Sequence, residues 1–335
     1  MSRTSVFRPL PTVLAVVVAL SIPAVSSQVL TPENASLLRE SSRFDAGVSY
    51  FHPLFLATDL LALAGDRTTT LWDLAADGAP LEPRSLRLDS ALAVSSDRSL
   101  LAIYSASRAL EVWSCEPIEK VSELVILEQT RYPRAAFSRD LALVAVTNRW
   151  NEIDLWNLET EELVNTLSGH RSNLFDLAFS PDGSLLASGG GISGGSTEAD
   201  SFIGVWDVPT GELIAELPTA DIGDNHSMLF TRDGGRLISG GNHRMIAWDT
   251  VTWERVYDSG PSYPGNSGIG LSPDGRLLAI TTYSNRIRLM NVDTLRVVRN
   301  LYLDIRSMDV DFSPDGTKLV AACTDGTLRT WEVRD

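Results

Sequence analysis

Short apolar runs bounded by turn residues set the rhythm of this chain. Leu185-Leu-Ala187, Leu277-Leu-Ala279 and Leu319-Val-Ala321 each follow a polar turn. Elsewhere a second turn leads into an alternating strand, as in Val208-Pro-Thr-Gly-Glu-Leu-Ile-Ala-Glu-Leu217. The short runs suit strands buried on both faces, and the alternation suits a strand with one solvated face. The turns are nearly constant: Phe179-Ser-Pro-Asp-Gly183, Phe230-Thr-Arg-Asp-Gly234, Leu271-Ser-Pro-Asp-Gly275 and Phe312-Ser-Pro-Asp-Gly316, with eroded copies at Val94-Ser-Ser-Asp97 and Phe137-Ser-Arg-Asp140. Pro fixes φ, Asp bonds its own backbone and Gly accepts positive φ, so each marks a strand end and a reversal.

Downstream of each turn a strand ends in a large residue followed by a polar one. The seven are Leu71-Trp72-Asp73, Val112-Trp113-Ser114, Leu155-Trp156-Asn157, Val205-Trp206-Asp207, Ala247-Trp248-Asp249, Leu289-Met290-Asn291 and Thr330-Trp331-Glu332. These anchors recur at intervals of 41, 43, 50, 42, 42 and 41 residues. One period therefore predicts four short antiparallel strands, labelled a to d from the inside outward. A single such sheet cannot bury both faces, whereas seven arranged radially can.

These turns and anchors resemble the WD-repeat family, from about residue 35 to the end of the chain. The resemblance implies an all-β, seven-bladed propeller over 28–335. Blade four carries the fullest pattern, with Gly169-His170 before strand a, Ser188 on strand b, Asp200 and the anchor Trp206. In the family these side chains form a buried hydrogen-bonded tetrad, so His170, Ser188, Asp200 and Trp206 are expected to do so. Asp66 and Asp325 hold the aspartate's place in blades one and seven, but Ala62 and Ala321 replace the serine. Met290 replaces the tryptophan of blade six, and apolar packing is expected where the network has eroded. Trp331 lies too near the C-terminus for blade seven to supply its own strand d, so the stretch around Ala35 to Arg43 is expected to close the ring. The same blade assignment puts blade one between Cys115 and Cys323, which keeps these two cysteines apart.

Charge and the N-terminus narrow the setting. The formal net charge is −15, which argues against nucleic acid or an anionic membrane surface as partner. Residues 1–27 read as a secretory signal: Arg3 and Arg8, then the apolar Val13 to Leu20, Pro23 and small residues at Ala24, Ser26 and Ser27. Its apolar run is short for a membrane span. An extracytoplasmic protein is expected, periplasmic or secreted, monomeric and without a membrane span once the signal is removed.

Catalytic motifs fail on context. The loop 189–197 contains both G-x-S-x-G around Ser193 and G-x-G-x-x-G from Gly189 to Gly194. Each requires a following helix, and Ser196-Thr-Glu-Ala-Asp200 and a strand follow instead. His52, His170, His226 and His243 have no metal-ligand spacing. No enzyme activity, cofactor or metal is expected. A propeller enzyme and a periplasmic propeller similar to the TolB type are the alternatives, the latter because it shares the Ser-Pro-Asp-Gly turn.

Antiparallel strands sort the turns onto two faces. Acids crowd the a–b and c–d turns, among them Asp97, Asp140, Asp182, Asp233, Asp274 and Asp315. Arginines recur on the other face: Arg67, Arg108, Arg149, Arg244 and Arg286 in b–c turns, and Arg131, Arg134, Arg171 and Arg306 in d–a loops. Tyr50, Tyr132, Trp150 and Tyr263 map there too. Arginine and aromatic residues are common interface anchors, so this face is expected to bind a protein or acidic peptide around the central channel.

Overall fold

The computed structural model describes residues 28–46, 51–65, 68–74, 80–88, 90–105, 109–125, 134–191, 202–220, 223–260 and 263–333. The expected signal, 1–27, lies outside them. The described strands form seven four-stranded antiparallel sheets, each in the order a-b-c-d. Six blades are continuous in sequence, at 51–88, 90–125, 135–167, 174–218, 225–258 and 266–302. The seventh takes Ser307–Phe312, Lys318–Cys323 and Thr327–Val333 from the end of the chain and Leu38–Asp45 from its beginning. The pairing runs from Leu38 opposite Val333 to Asp45 opposite Thr327, so the ring closes as the last anchor's position implied.

The repeated turn works as its residues dictate. Ser180 Oγ donates to Asp182 Oδ1 at 2.6 Å, the amide of Ser184 donates to the same oxygen, and Gly183 has φ +73°. Where glycine is lost, Arg98 (φ +63°) and Leu141 (φ +60°) adopt the left-handed conformation instead, at a cost of about 1–2 kcal/mol each. Sequence erosion in blades two and three thus leaves the turn geometry intact.

Seven apolar clusters fill the seven wedges between adjoining blades. The cluster between blades six and seven includes Leu30, Ala35 and Leu38, all fully buried. In blades two, four and six an amide after the anchor (Cys115, Val208, Val292) bonds a carbonyl of the a–b turn (Ser99, Ser184, Arg276). In blade seven the amide of Leu30 bonds the carbonyl of Gly316 at 2.8 Å. Closure thus uses a strap ahead of strand d as well as the strand itself.

Strand d of blades two to seven contains one bulge opposite the anchor, leaving Val121, Val164, Ile214, Val256, Val298 and Ser41 outside the pairing. A bulge twists an edge away from flat pairing, so the circumference is a poor template for an added strand. Cys115 and Cys323 are buried and free, and burial pushes the Cys115 thiol up to about 12.

Candidate functional site

Blade four holds the best-developed polar network. Ser188 Oγ accepts from Trp206 Nε1 at 2.7 Å and lies 2.7 Å from His170 Nε2. Gly204 is required beside them: a Cβ there would stand 3.0–3.2 Å from Trp206 Nε1, His170 Nε2 and Ser188 Oγ. Phe202 stacks on His170 at 4.9 Å. Asp200 lies outside the described residues. The network pins the d–a loop that carries Arg171 to strands b and c. Blade five keeps a weaker version, Trp248 Nε1 to Ser239 Oγ at 3.3 Å. In blades one and two the indole turns to the side chain two residues back, Thr70 at 3.1 Å and Glu111 at 2.9 Å. Local polar partners, and not apolar packing alone, have replaced the eroded network there.

Backbone bonds knit the b–c turns to the d–a loops on one face: Thr147 N to Arg134 O (2.9 Å), Tyr283 N to Gly265 O (3.3 Å) and Thr324 N to Arg306 O (2.9 Å). The a–b aspartates lie on the other. Hydroxyls of Ser138, Ser180 and Thr231, then backbone amides, hold Asp140, Asp182 and Asp233 below the usual carboxylate range, so that face stays anionic.

The candidate arginines separate into distinct situations. Arg149 lies over the ring of Trp150 at 4.4 Å, and Trp150 is 59% exposed. Arg171 is exposed. Arg306 lies 3.9 Å over Tyr283, whose hydroxyl donates to Asn242 Oδ1 at 2.9 Å. Arg286 lies over Tyr302 at 5.5 Å. Arg244 is committed to Asp258 at 2.6 Å. Arg134 turns inward: its Nε donates to Phe175 O at 2.6 Å, and burial lowers its pKa against the pull of Asp176. Tyr263 is buried between blades and not displayed on the face. Arg67, Arg108, Arg131, Tyr50, Tyr132 and residues 192–200 of the glycine loop lie outside the described residues.

Channel residues escaped the sequence reading. Asp176 on strand a of blade four bridges to blade five, its Oδ2 accepting the Met228 amide at 2.6 Å and its Oδ1 the Leu177 amide at 2.9 Å. Asp309 meets His52 Nδ1 at 2.9 Å. The available signal was an acid inside an apolar strand, Leu174-Phe-Asp-Leu-Ala-Phe179. Burial raises Asp176 to about 6; the two amides and Arg134 oppose the rise and Asp309 adds to it. Asp176 as a whole residue is only half-buried, which limits what the shift is worth. A carboxyl raised in the folded state binds its proton more tightly than in the unfolded chain, so protonation stabilises the fold as pH falls. Between pH 7 and 5 Asp176 should add about 1 kcal/mol. Urea midpoints at the two pH values should show this increment in the native protein and not in Asp176→Asn; equal increments in both would disprove the assignment.

Among the described residues no group of His, Cys, Asp and Glu is placed to hold a metal ion, and no helix is long and apolar enough to cross a membrane. The family model for the WD domain, G-beta repeat, matches residues 161–207 and 302–332, the anchor strands of blades four and seven included. An uncharacterized WD repeat-containing protein of Synechocystis is 31% identical over 157 residues, 45% of this chain and 40% of that protein. Small ribosomal subunit protein RACK1y of Oryza sativa is 26% identical over 194 residues, 58% of this chain and 45% of that one. Human pre-mRNA-processing factor 17 is 22% identical over 192 residues, 54% of this chain and 31% of its own length. The chain thus spans less than half of each of these curated relatives. Two stretches match the family model, six of the seven blades carry the a–b aspartate turn, and all seven share the anchor position and the strand order, so the chain carries WD repeats and has the seven-bladed fold of the WD-repeat β-propellers.

Proposed function

We propose that this protein is an exported, monomeric scaffold that receives an acidic segment of a partner protein on its b–c/d–a face, around the channel mouth. WD-repeat propellers generally act as protein-interaction scaffolds. The observation that carries the finer reading is the separation of charge: hydrogen-bonded aspartates on one face, and arginines already stacked on aromatic rings on the other. A guanidinium held over a ring has lost much of its freedom before a carboxylate arrives, which favours tight contact. The opposite face repels the same segment and so orients it. Export rests on the leader-like Arg3, Arg8 and Val13 to Leu20. The role is binding, with no catalytic group or cofactor assigned.

The test is affinity capture from the native extracytoplasmic fraction by the purified protein and by a variant with Arg149, Arg171 and Arg306 changed to Ser. The variant should keep the native circular dichroism and lose the partner. An identical captured set would count against this face. N-terminal sequencing of the native protein should find Ser27 or Gln28 first, and Met1 would refute processing of the leader.

A further inference from the structure

Three buried polar atoms without a hydrogen-bond partner among the described residues fall in one place: Tyr263 Oη, Asn300 Oδ1 and Arg286 Nε. It is the outer half of the wedge between blades five and six. On strand c of blade six (Arg286–Asn291), Met290 packs in the five–six core while Ile287 and Leu289 pack toward blade seven. Alternation therefore turns Arg286 and Arg288 toward blade five. Asn300 stands opposite Arg288 on strand d, and Tyr302 opposite Arg286. From the other side Tyr263, 6% exposed, lies under the Arg288 guanidinium at 4.8 Å.

Comparison among blades shows that this wedge is unusual. Arg288 sits two residues before its anchor. At that position Thr70 and Glu111 accept from their own anchor tryptophans, Asp154 accepts from Asn148 and Thr166, and Arg329 meets Asp304 and Glu40. In blade four the position is Gly204, which admits His170. The Arg288 side chain, alone of the charged ones there, has no hydrogen bond or ion pair among the described residues; the Arg286 side chain has none either, and each guanidinium rests on a tyrosine ring. Orphaned buried donors are costly, and a site that gathers several is completed by what binds it. Burial pushes the Tyr263 phenol up, so it remains an O–H donor at neutral pH. At the mouth Tyr302 is 75% exposed.

The wedge thus offers two guanidinium groups and a phenol O–H as donors, with one amide oxygen as acceptor. We propose that it is a binding site for a small 2-hydroxycarboxylate. The carboxylate takes the donors of Arg286, Arg288 and Tyr263, and the neighbouring hydroxyl donates to Asn300 Oδ1. Guanidinium forks match the planar carboxylate. An amino acid would bring an ammonium against two arginines, and phosphate, which also keeps an O–H at neutral pH, is the competing anion that the titration must rank. This site is separate from the channel mouth, and its test does not depend on the scaffold reading.

The test follows the guanidinium Nε–H resonances of Arg286 and Arg288 in the full protein during titration with lactate, acetate and inorganic phosphate. Lactate should shift both saturably and bind about tenfold more tightly than acetate, the difference being one hydrogen bond. Arg288→Met should abolish saturation at Arg286. Asn300→Leu should bring lactate down to the acetate affinity, a loss of selectivity readable even if Arg288→Met fails to fold. The proposal is overturned by no saturable shift, by phosphate binding more tightly than lactate, or by selectivity that survives in Asn300→Leu.

Discussion

Trp206→Ala should lower the unfolding free energy by about 3–5 kcal/mol, the range for deleting a buried tryptophan. Trp206 is 1% exposed and packs with Leu155, Leu167, Leu186 and Val208 in the wedge between blades three and four. Alanine leaves a cavity that rigid sheets on both sides cannot close, and it removes the Nε1 donor to Ser188. Trp206→Phe separates the two effects, since it keeps most of the volume and deletes only the N–H. It should cost about 1 kcal/mol for the lost bond, plus a smaller amount for imperfect fit. Urea unfolding of the three proteins decides the matter. If phenylalanine costs as much as alanine, the hydrogen bond and not the packing dominates the anchor. Met290, 1% exposed at the blade six anchor, already suggests that volume comes first.

Legibility followed locality. Turns such as Ser180-Pro-Asp-Gly183 and the anchor that ends each strand c act within a few residues, and six copies of the turn and seven of the anchor corrected one another where a single copy was eroded. Blade count, strand order and closure by an N-terminal strand were therefore readable. The strap was not: nothing near Leu30 announces that its amide will bond Gly316 almost three hundred residues away. Arginine accessibility was equally hidden. Arg134, Arg244 and Arg306 look alike in sequence, and only the packing shows one turned into the channel, one neutralised by Asp258 and one laid on a tyrosine. Arg288 escaped because a charged residue in strand c has no reason to be searched for when turns are taken as the binding positions. Strand a hid the channel for the opposite reason: one acid in a short apolar run reads as noise until the ring brings Asp176, Asp309 and Arg134 into one channel.

The junction of blades seven, one and two yields the second large effect. Arg98 leaves its a–b turn and crosses beneath blade one, donating to Phe55 O at 3.0 Å and to both carboxylate oxygens of Asp311 at 2.8 and 3.0 Å. Asp311 Oδ2 also accepts the Phe55 amide at 3.0 Å. One ion pair therefore ties three consecutive blades across the point where the chain's two ends meet. Its side chains are only 19% and 14% exposed, so removing one partner leaves the other charge poorly solvated. Arg98→Met should cost about 2–4 kcal/mol, somewhat less than a fully dry pair because some water remains in contact. Asp311→Asn keeps an acceptor for the Phe55 amide while removing the stranded charge, so the double variant Arg98→Met/Asp311→Asn should recover more than half of that loss. Recovery would mean that the penalty of Arg98→Met is uncompensated charge. A double variant as unstable as Arg98→Met would instead make the reach of Arg98 itself, with its bond to Phe55 O, the element that holds blade one in the ring.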